Sequence, residues 1–141
     1  TTEADLLDGQ RTDHEEVAAL TREDRTRVLL AELAGELVGS VLVRSELVGV
    51  AHIGMFAVRP TLQSQGLGSA LLREAERTAR VELGARRAEM TVIEQRPDII
   101  AWYERRGYRA TGATEPFPYG NPRFGLPRRP DLRFIVLAKA L

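Results

Sequence analysis

Between Val58 and Arg73 the chain reads V-R-P-T-L-Q-S-Q-G-L-G-S-A-L-L-R, and this stretch limits the fold more than any other. A β-branched run ends at Arg59-Pro60, a polar loop follows, and Gly66-Leu67-Gly68 opens a long segment of helical pattern. Glycine removes Cβ where backbone N–H groups close on a ligand. A helix start leaves its first four N–H groups without intrahelical partners and carries partial positive charge. No Asp or Glu lies between Gln63 and Arg73 to neutralise that end. The stretch reads as a strand, a loop and a helix start built to cradle a diphosphate. A Gly-rich turn with a purely structural role shares the same pattern. The third glycine of a dinucleotide fingerprint is missing at Leu71, and so is the Gly-Lys-Ser/Thr of a nucleoside-triphosphate loop.

The rest of the chain narrows the class. Its 141 residues suit one domain with a substantial core. No apolar run reaches the roughly 18–20 residues of a membrane span, and no signal-peptide pattern opens the chain, so a cytoplasmic location is expected. With no cysteine, disulfides and thiol nucleophiles are excluded. His14 and His52 are the only histidines, so a zinc site would need carboxylates, and no metal is expected. A net charge of +0, with no basic helix carrying interleaved aromatics, argues against nucleic acid as a partner.

The charge is nevertheless uneven. Residues 1–24 hold eight acids against two bases, and residues 59–141 hold nine acids against fifteen bases. An anionic cofactor held by the second half and a cationic substrate met by the first would fit this split; so would solvated charge on helix surfaces.

In chain order, a short helix is expected over His14–Leu20 and a turn near residues 21–25. A hairpin follows, its strands at 28–33 and 36–43 joined through Ala34-Gly35. A third strand at 46–58, apolar on both faces, is expected to be central. The helix from Gly66 to about Leu83 places Leu67, Leu71, Ala75 and Thr78 on one stripe and Glu76 away from it, paired with Arg80; Gly84 stops it. A strand at 87–93, a short helix opened by Pro97 and ended by Gly107, and a strand beginning at 108–111 come next. Residues 112–130 carry five of the seven prolines and read as a long functional loop before a last strand at 132–138. The order implies an α/β (α+β) architecture, one central mixed sheet flanked by helices.

A second motif lies about forty residues beyond the first: Ile100-Ala-Trp-Tyr103-Glu-Arg-Arg-Gly107-Tyr108. Together with Gln63-x-x-Gly66-x-Gly68 it resembles the GNAT N-acetyltransferases, over roughly residues 28–141. The resemblance implies the GNAT acyltransferase fold and acetyl-CoA as cosubstrate. The cofactor's diphosphate would meet Gln63, Ser64, Gln65, Gly66, Leu67, Gly68 and Ser69, and its pantetheine arm would pair with the backbone of Phe56, Ala57 and Val58. Tyr103 would protonate the departing thiolate and border the cofactor. Arg105 and Arg106 either reach the cofactor phosphates or form a solvated helix face.

A base must also take the amine proton. His52 lies eleven residues before Gln63, where some family members carry Glu or His. Alternation would put His52, Gly54, Phe56 and Val58 on one face if no bulge intervenes. Gly54 stands where a carboxylate is common in the family, which favours His52; Glu94 or a water chain are the other candidates. Arg96 replaces a family Asn. The implied reaction is direct acetyl transfer to a primary amine of a small molecule or peptide. The competing class is a non-catalytic CoA-binding or interaction module of the same fold.

The family's first strand and most of its first helix have no counterpart here and are expected to precede Thr1, leaving a single N-acetyltransferase domain, 1–141, incomplete at its start. A sheet edge exposed in this way would leave room for strand pairing in a homodimer. The amine would meet the acids Asp5, Asp8, Asp13, Glu15 and Glu16 and the aromatics Phe117, Tyr119 and Phe124.

Overall fold

The computed structural model describes residues 7–8, 24–62, 66–116, 126–127 and 132–141. Six strands form a mixed sheet and two form a separate pair. Strand β1 (Leu7–Asp8) pairs antiparallel with β7 (Leu126–Pro127). The sheet comprises β2 (Thr26–Leu33), β3 (Glu36–Leu47), β4 (Val50–Val58), β5 (Arg87–Ile93), β6 (Arg109–Pro116) and β8 (Arg133–Ala140), hydrogen-bonded in the order β2-β3-β4-β5-β8-β6. Helices α1 (Leu67–Val81) and α2 (Pro97–Glu104) complete the described elements. By contact the chain divides into two compact units, residues 20–90 with 140–141, and residues 1–19 with 91–139.

In the first of these units β2, β3 and β4 form an antiparallel meander. The turn between β2 and β3 is Ala34-Gly35, both at positive φ (52° and 81°), the two-residue geometry whose twist matches its strands. The second turn, Val48-Gly49, divides what reads in sequence as one strand from 46 to 58. β3 therefore runs on to Leu47, and β4 begins only at Val50. Gly49 takes φ 83° and makes that reversal. Its position within a run of apolar residues hid the turn. Ser45 closes the turn from inside, its Oγ donating to Val50 O (2.9 Å), while Arg25 Nη2 reaches Leu83 O (2.7 Å).

Helix α1 packs mainly on β3, burying Leu71, Leu72, Ala75 and Ala79 against Val41, Val43 and Ile53. Glu76, expected on the solvent side, is on the buried side with 9% exposure; the helix's inward stripe is wider than the one drawn through Leu67, Leu71, Ala75 and Thr78. The N–H groups of Leu83 and Ala85 return to Thr78 O and Ala79 O at 3.2 and 2.9 Å around Gly84 at φ 67°, closing the helix as expected. The N–H groups of Arg86 and Arg87 then donate to Gly49 O and set β5 beside β4, here in parallel.

In the other unit β6 and β8 are antiparallel. Ile93, Leu132 and Phe134 pack together, and Tyr103, Tyr108 and Leu137 are buried. β6 continues to Pro116, so the expected loop begins later than residue 112. The expected helix over residues 14–20 and the aromatics Phe117, Tyr119 and Phe124 lie outside the described residues. Among the described residues no helix is long and apolar enough to cross a membrane.

Candidate active site

The strand before the cradle is irregular at one point. β4 pairs Ile53 with Val43 and Gly54 with Leu42, then resumes with Ala57 opposite Ser40 and Val58 opposite Gly39. Three steps along β4 thus face two along β3, a bulge centred on Met55, which takes the left-handed φ of 49°. Paired residues of an antiparallel ladder share a face. Val58 is therefore on the side of Ile53 and of Gly39, where a Cβ would meet Leu71 of α1 at 3.2 Å. His52, Gly54 and Ala57 take the opposite side. The expected common face of His52, Gly54, Phe56 and Val58 is thus corrected: the bulge flips the alternation after Gly54.

His52 is half-buried. A Cβ built on Gly54 would come 3.1 Å from its Nε2, so the imidazole lies along the strand over the bare glycine. His52 also ends the parallel ladder, whose pairs are Val50↔Arg87, Ala51↔Ala88 and His52↔Glu89.

After Val58, Arg59 fixes the way out of the sheet. Its N–H donates to Val38 O (2.8 Å), Nη1 to Glu36 (2.8 Å) and Nη2 to Leu37 O (2.8 Å). A 3-10 turn at Pro60–Leu62 follows. Gln63, Ser64 and Gln65 lie outside the described residues. Gly66 is the N-cap of α1 at φ 78° and ψ 0°, and the first helical turn holds no acid. The first bond into the helix runs from Ala70 N–H to Gly66 O at 3.1 Å. The N–H groups of Leu67, Gly68 and Ser69 therefore lie ahead of the helical ladder, at its positive end. A helix start of this kind offers backbone donors of the sort an anion can use.

In the other unit, Pro97 is the first residue of α2 and Tyr103 is its one fully buried side chain. Tyr103 meets Trp102 edge-on at 5.2 Å and Tyr108 at 5.8 Å between ring centroids. Its carbonyl accepts from the N–H groups of Arg106 (2.9 Å) and Tyr108 (3.2 Å), which winds the chain tightly around Gly107 at φ 101°. Burial pushes the phenol up to about 12, with the charge of Arg96 acting in the opposite sense. The phenol is therefore a proton donor across the physiological range. Arg106 is held on Trp102, its guanidinium 3.6 Å from the ring centroid and Nη1 donating to Trp102 O at 2.9 Å.

Glu94 is engaged by Arg133, whose Nε and Nη2 donate to its two carboxylate oxygens, the latter at 2.8 Å. Both oxygens of the Glu94 carboxylate are thus engaged by one guanidinium, the bidentate geometry of the strong ion pairs. Sequence reasoning did not foresee this partner, 39 residues away on β8. Among the described residues no group of three or more His, Cys, Asp or Glu side chains is placed to hold a metal ion.

A mixed six-stranded sheet flanked by helices, in this strand order, is the fold of acyltransferases. The profile of the acetyltransferase (GNAT) family matches residues 3–108, well over half of the chain, and the chain belongs to that family. By fold the chain is similar to the IAA acetyltransferase from Bacillus cereus, at TM-score 0.71 and 22% identity over 92% of this chain and 85% of that one. It is similar also to a GNAT family acetyltransferase from Elizabethkingia anophelis with acetyl-CoA bound, at TM-score 0.74 and 18% identity over 100% of this chain and 92% of that one. The ribosomal-protein-S18-alanine N-acetyltransferase from Escherichia coli aligns at TM-score 0.70 and 20% identity, covering 91% and 77% of the two chains. Comparison with curated proteins by sequence gives no significant match.

Proposed function

We propose that this acyltransferase moves the acetyl group of acetyl-CoA directly to a primary amine of a small molecule or peptide. Family membership and a fold neighbour holding acetyl-CoA support the cosubstrate. The observation that carries the chemical reading is the buried Tyr103 phenol, kept protonated and so able to donate to a departing thiolate.

The roles follow from the chemistry each group offers. The N–H groups from Gln63 to Ser69 receive the CoA diphosphate at the acid-free start of α1. The backbone of Phe56, Ala57 and Val58 pairs with the pantetheine amides. The amine nitrogen attacks the thioester carbonyl as a neutral nucleophile, and His52 takes the proton it loses. The C–S bond breaks, and Tyr103 protonates the sulfur. No covalent intermediate is required, and the chain has no cysteine to form a thioester.

The test has two stages. Acetyl-CoA at millimolar concentration should raise the melting temperature, since a ligand that binds only the folded chain stabilises it; no shift would remove the cosubstrate assignment. CoA release is then followed with a panel of polyamines, aminoglycosides, amino acids, peptide N-termini and hydroxylamine. Release that depends on one class of amine identifies the acceptor. Binding without release for any of them would leave a CoA-binding module in place of an enzyme of this specificity.

A further inference from the structure

The end of α2 folds the chain back on the candidate acid. The N–H of Gly107 donates to Glu104 O (3.1 Å), and the N–H of Tyr108 donates to Tyr103 O (3.2 Å). This pair of bonds is a glycine-closed helix stop, and it needs the left-handed φ of 101° at Gly107. A stop of this kind often carries an apolar contact between the residue after the glycine and a residue of the last helical turn. Here the two are Tyr108 and Tyr103.

Core packing sharpens that contact. Tyr108 is 0% exposed and Tyr103 only 6%. Their ring centroids lie 5.8 Å apart with the planes at 68°, an edge-on arrangement in which each ring limits the tilt of the other. Lys139 of β8 adds a further layer. The register sets it beside Tyr108, one step beyond the pair Arg109↔Ala138. Its stem crosses Gly107, where a Cβ would come 3.2 Å from Cε, and its ammonium stands 5.7 Å from the centre of the Tyr108 ring. Gly107 therefore serves twice: its positive φ turns the chain, and its bare surface seats the lysine stem. Such bracing matters for an acid, because a reacting group displaced by about 1 Å can lose a hundredfold in rate.

We propose that Tyr108, steadied by Lys139, is a positioning residue for the acid step, fixing the direction in which the Tyr103 hydroxyl points. The inference rests on the reading of Tyr103 as the acid. In that step the C–S bond breaks, the Tyr103 O–H bond breaks and the S–H bond forms. The phenolate then regains, through solvent, the proton that the amine nitrogen gave up. Tyr108 gives up no proton and acts through Tyr103 alone.

The test is a double-mutant cycle on CoA release at saturating acetyl-CoA, with the fastest amine of the panel above. Tyr103→Phe is expected to lower kcat by about a hundredfold. Tyr108→Leu, which keeps the position apolar and removes the ring, should lower kcat by about tenfold. Tyr108→Phe keeps the ring and should stay within about threefold of the parent enzyme. Lys139→Met keeps a stem without the charge and should cost about threefold. Acetyl-CoA affinity by calorimetry should be unchanged in all four. The decisive measurement is Tyr108→Leu in the Tyr103→Phe background, where it should cause no further loss. Losses that add, or a Tyr108→Leu enzyme as fast as the parent, overturn the role of Tyr108 while leaving Tyr103 as the acid. A Lys139→Met enzyme as fast as the parent overturns the part given to Lys139. A Tyr103→Phe enzyme with unchanged kcat overturns the acid reading itself, and this inference with it. Should Tyr108→Leu fail to fold, Tyr108→Met, whose flexible chain fills the space without a ring's rigidity, carries the same outcomes.

Discussion

The imidazole of His52 lies over Gly54, its Nε2 3.1 Å from where a side chain on that glycine would begin. The glycine thereby leaves room for the histidine to extend along β4, on the sheet face opposite α1. If His52 is the base, the pair acts as one unit. His52→Ala should lower kcat by about a hundredfold and abolish the acidic limb of the pH–rate profile. Gly54→Val, which pushes the ring aside, should lower kcat by about tenfold, and should do nothing further once His52 is alanine. An acidic limb that survives His52→Ala would assign the base elsewhere.

Tyr103 links the site to alkaline stability. Its phenol titrates near 10 in the unfolded chain and is pushed up to about 12 in the fold, first by burial. A folded value above the unfolded one means that this group's contribution is fully present below pH 10. It is lost as pH rises toward 12, because only the unfolded chain then releases the proton. The loss by pH 12 is about 2 kcal/mol. Tyr103→Phe should flatten the fall in urea-denaturation stability above pH 10. An identical fall in both proteins would mean that Tyr103 is not the group responsible.

Gly66 isolates a backbone effect. Among the described residues a Cβ there meets nothing within 4 Å, yet φ is 78°. Gly66→Ala should therefore cost about 1–2 kcal/mol through conformation alone. Gly66→Asn, whose short amide tolerates the left-handed region, should cost less. Denaturant midpoints of the two variants check the order; equal losses would point to a contact at this position.

Glu94 is already occupied by Arg133 at the junction of β5 and β8. Glu94→Gln should leave kcat within about twofold, as expected of a carboxylate already held in an exposed ion pair. Retained CoA affinity with a collapse of kcat, beyond any change in melting temperature, would restore Glu94 as a proton relay.

Features governed by the chemistry of one or two residues were legible in the sequence. The Ala34-Gly35 hairpin, the Gly66 cap, the Gly84 stop and Pro97 at the start of α2 each follow from what those residues do to φ or to a backbone donor. The Val48-Gly49 turn was obscured by apolar neighbours, and Glu76 was misplaced because helical periodicity marks a stripe without fixing its width.

The bulge at Met55 has no local signature, since methionine is no turn former and its positive φ is imposed by the ladder pairs on either side. That bulge alone decides that Ala57 rejoins His52 and that Val58 turns toward α1. In the same way, only packing brings Arg133 to Glu94 and sets the rings of Trp102 and Tyr108 against Tyr103. The sequence by itself determined the order of elements, the glycine start of α1 and the tyrosine-bearing late helix, because these depend on residue type and spacing along one segment. Which faces the side chains share, and which charges they meet, were decided by the tertiary structure, because they depend on register between strands distant in the chain.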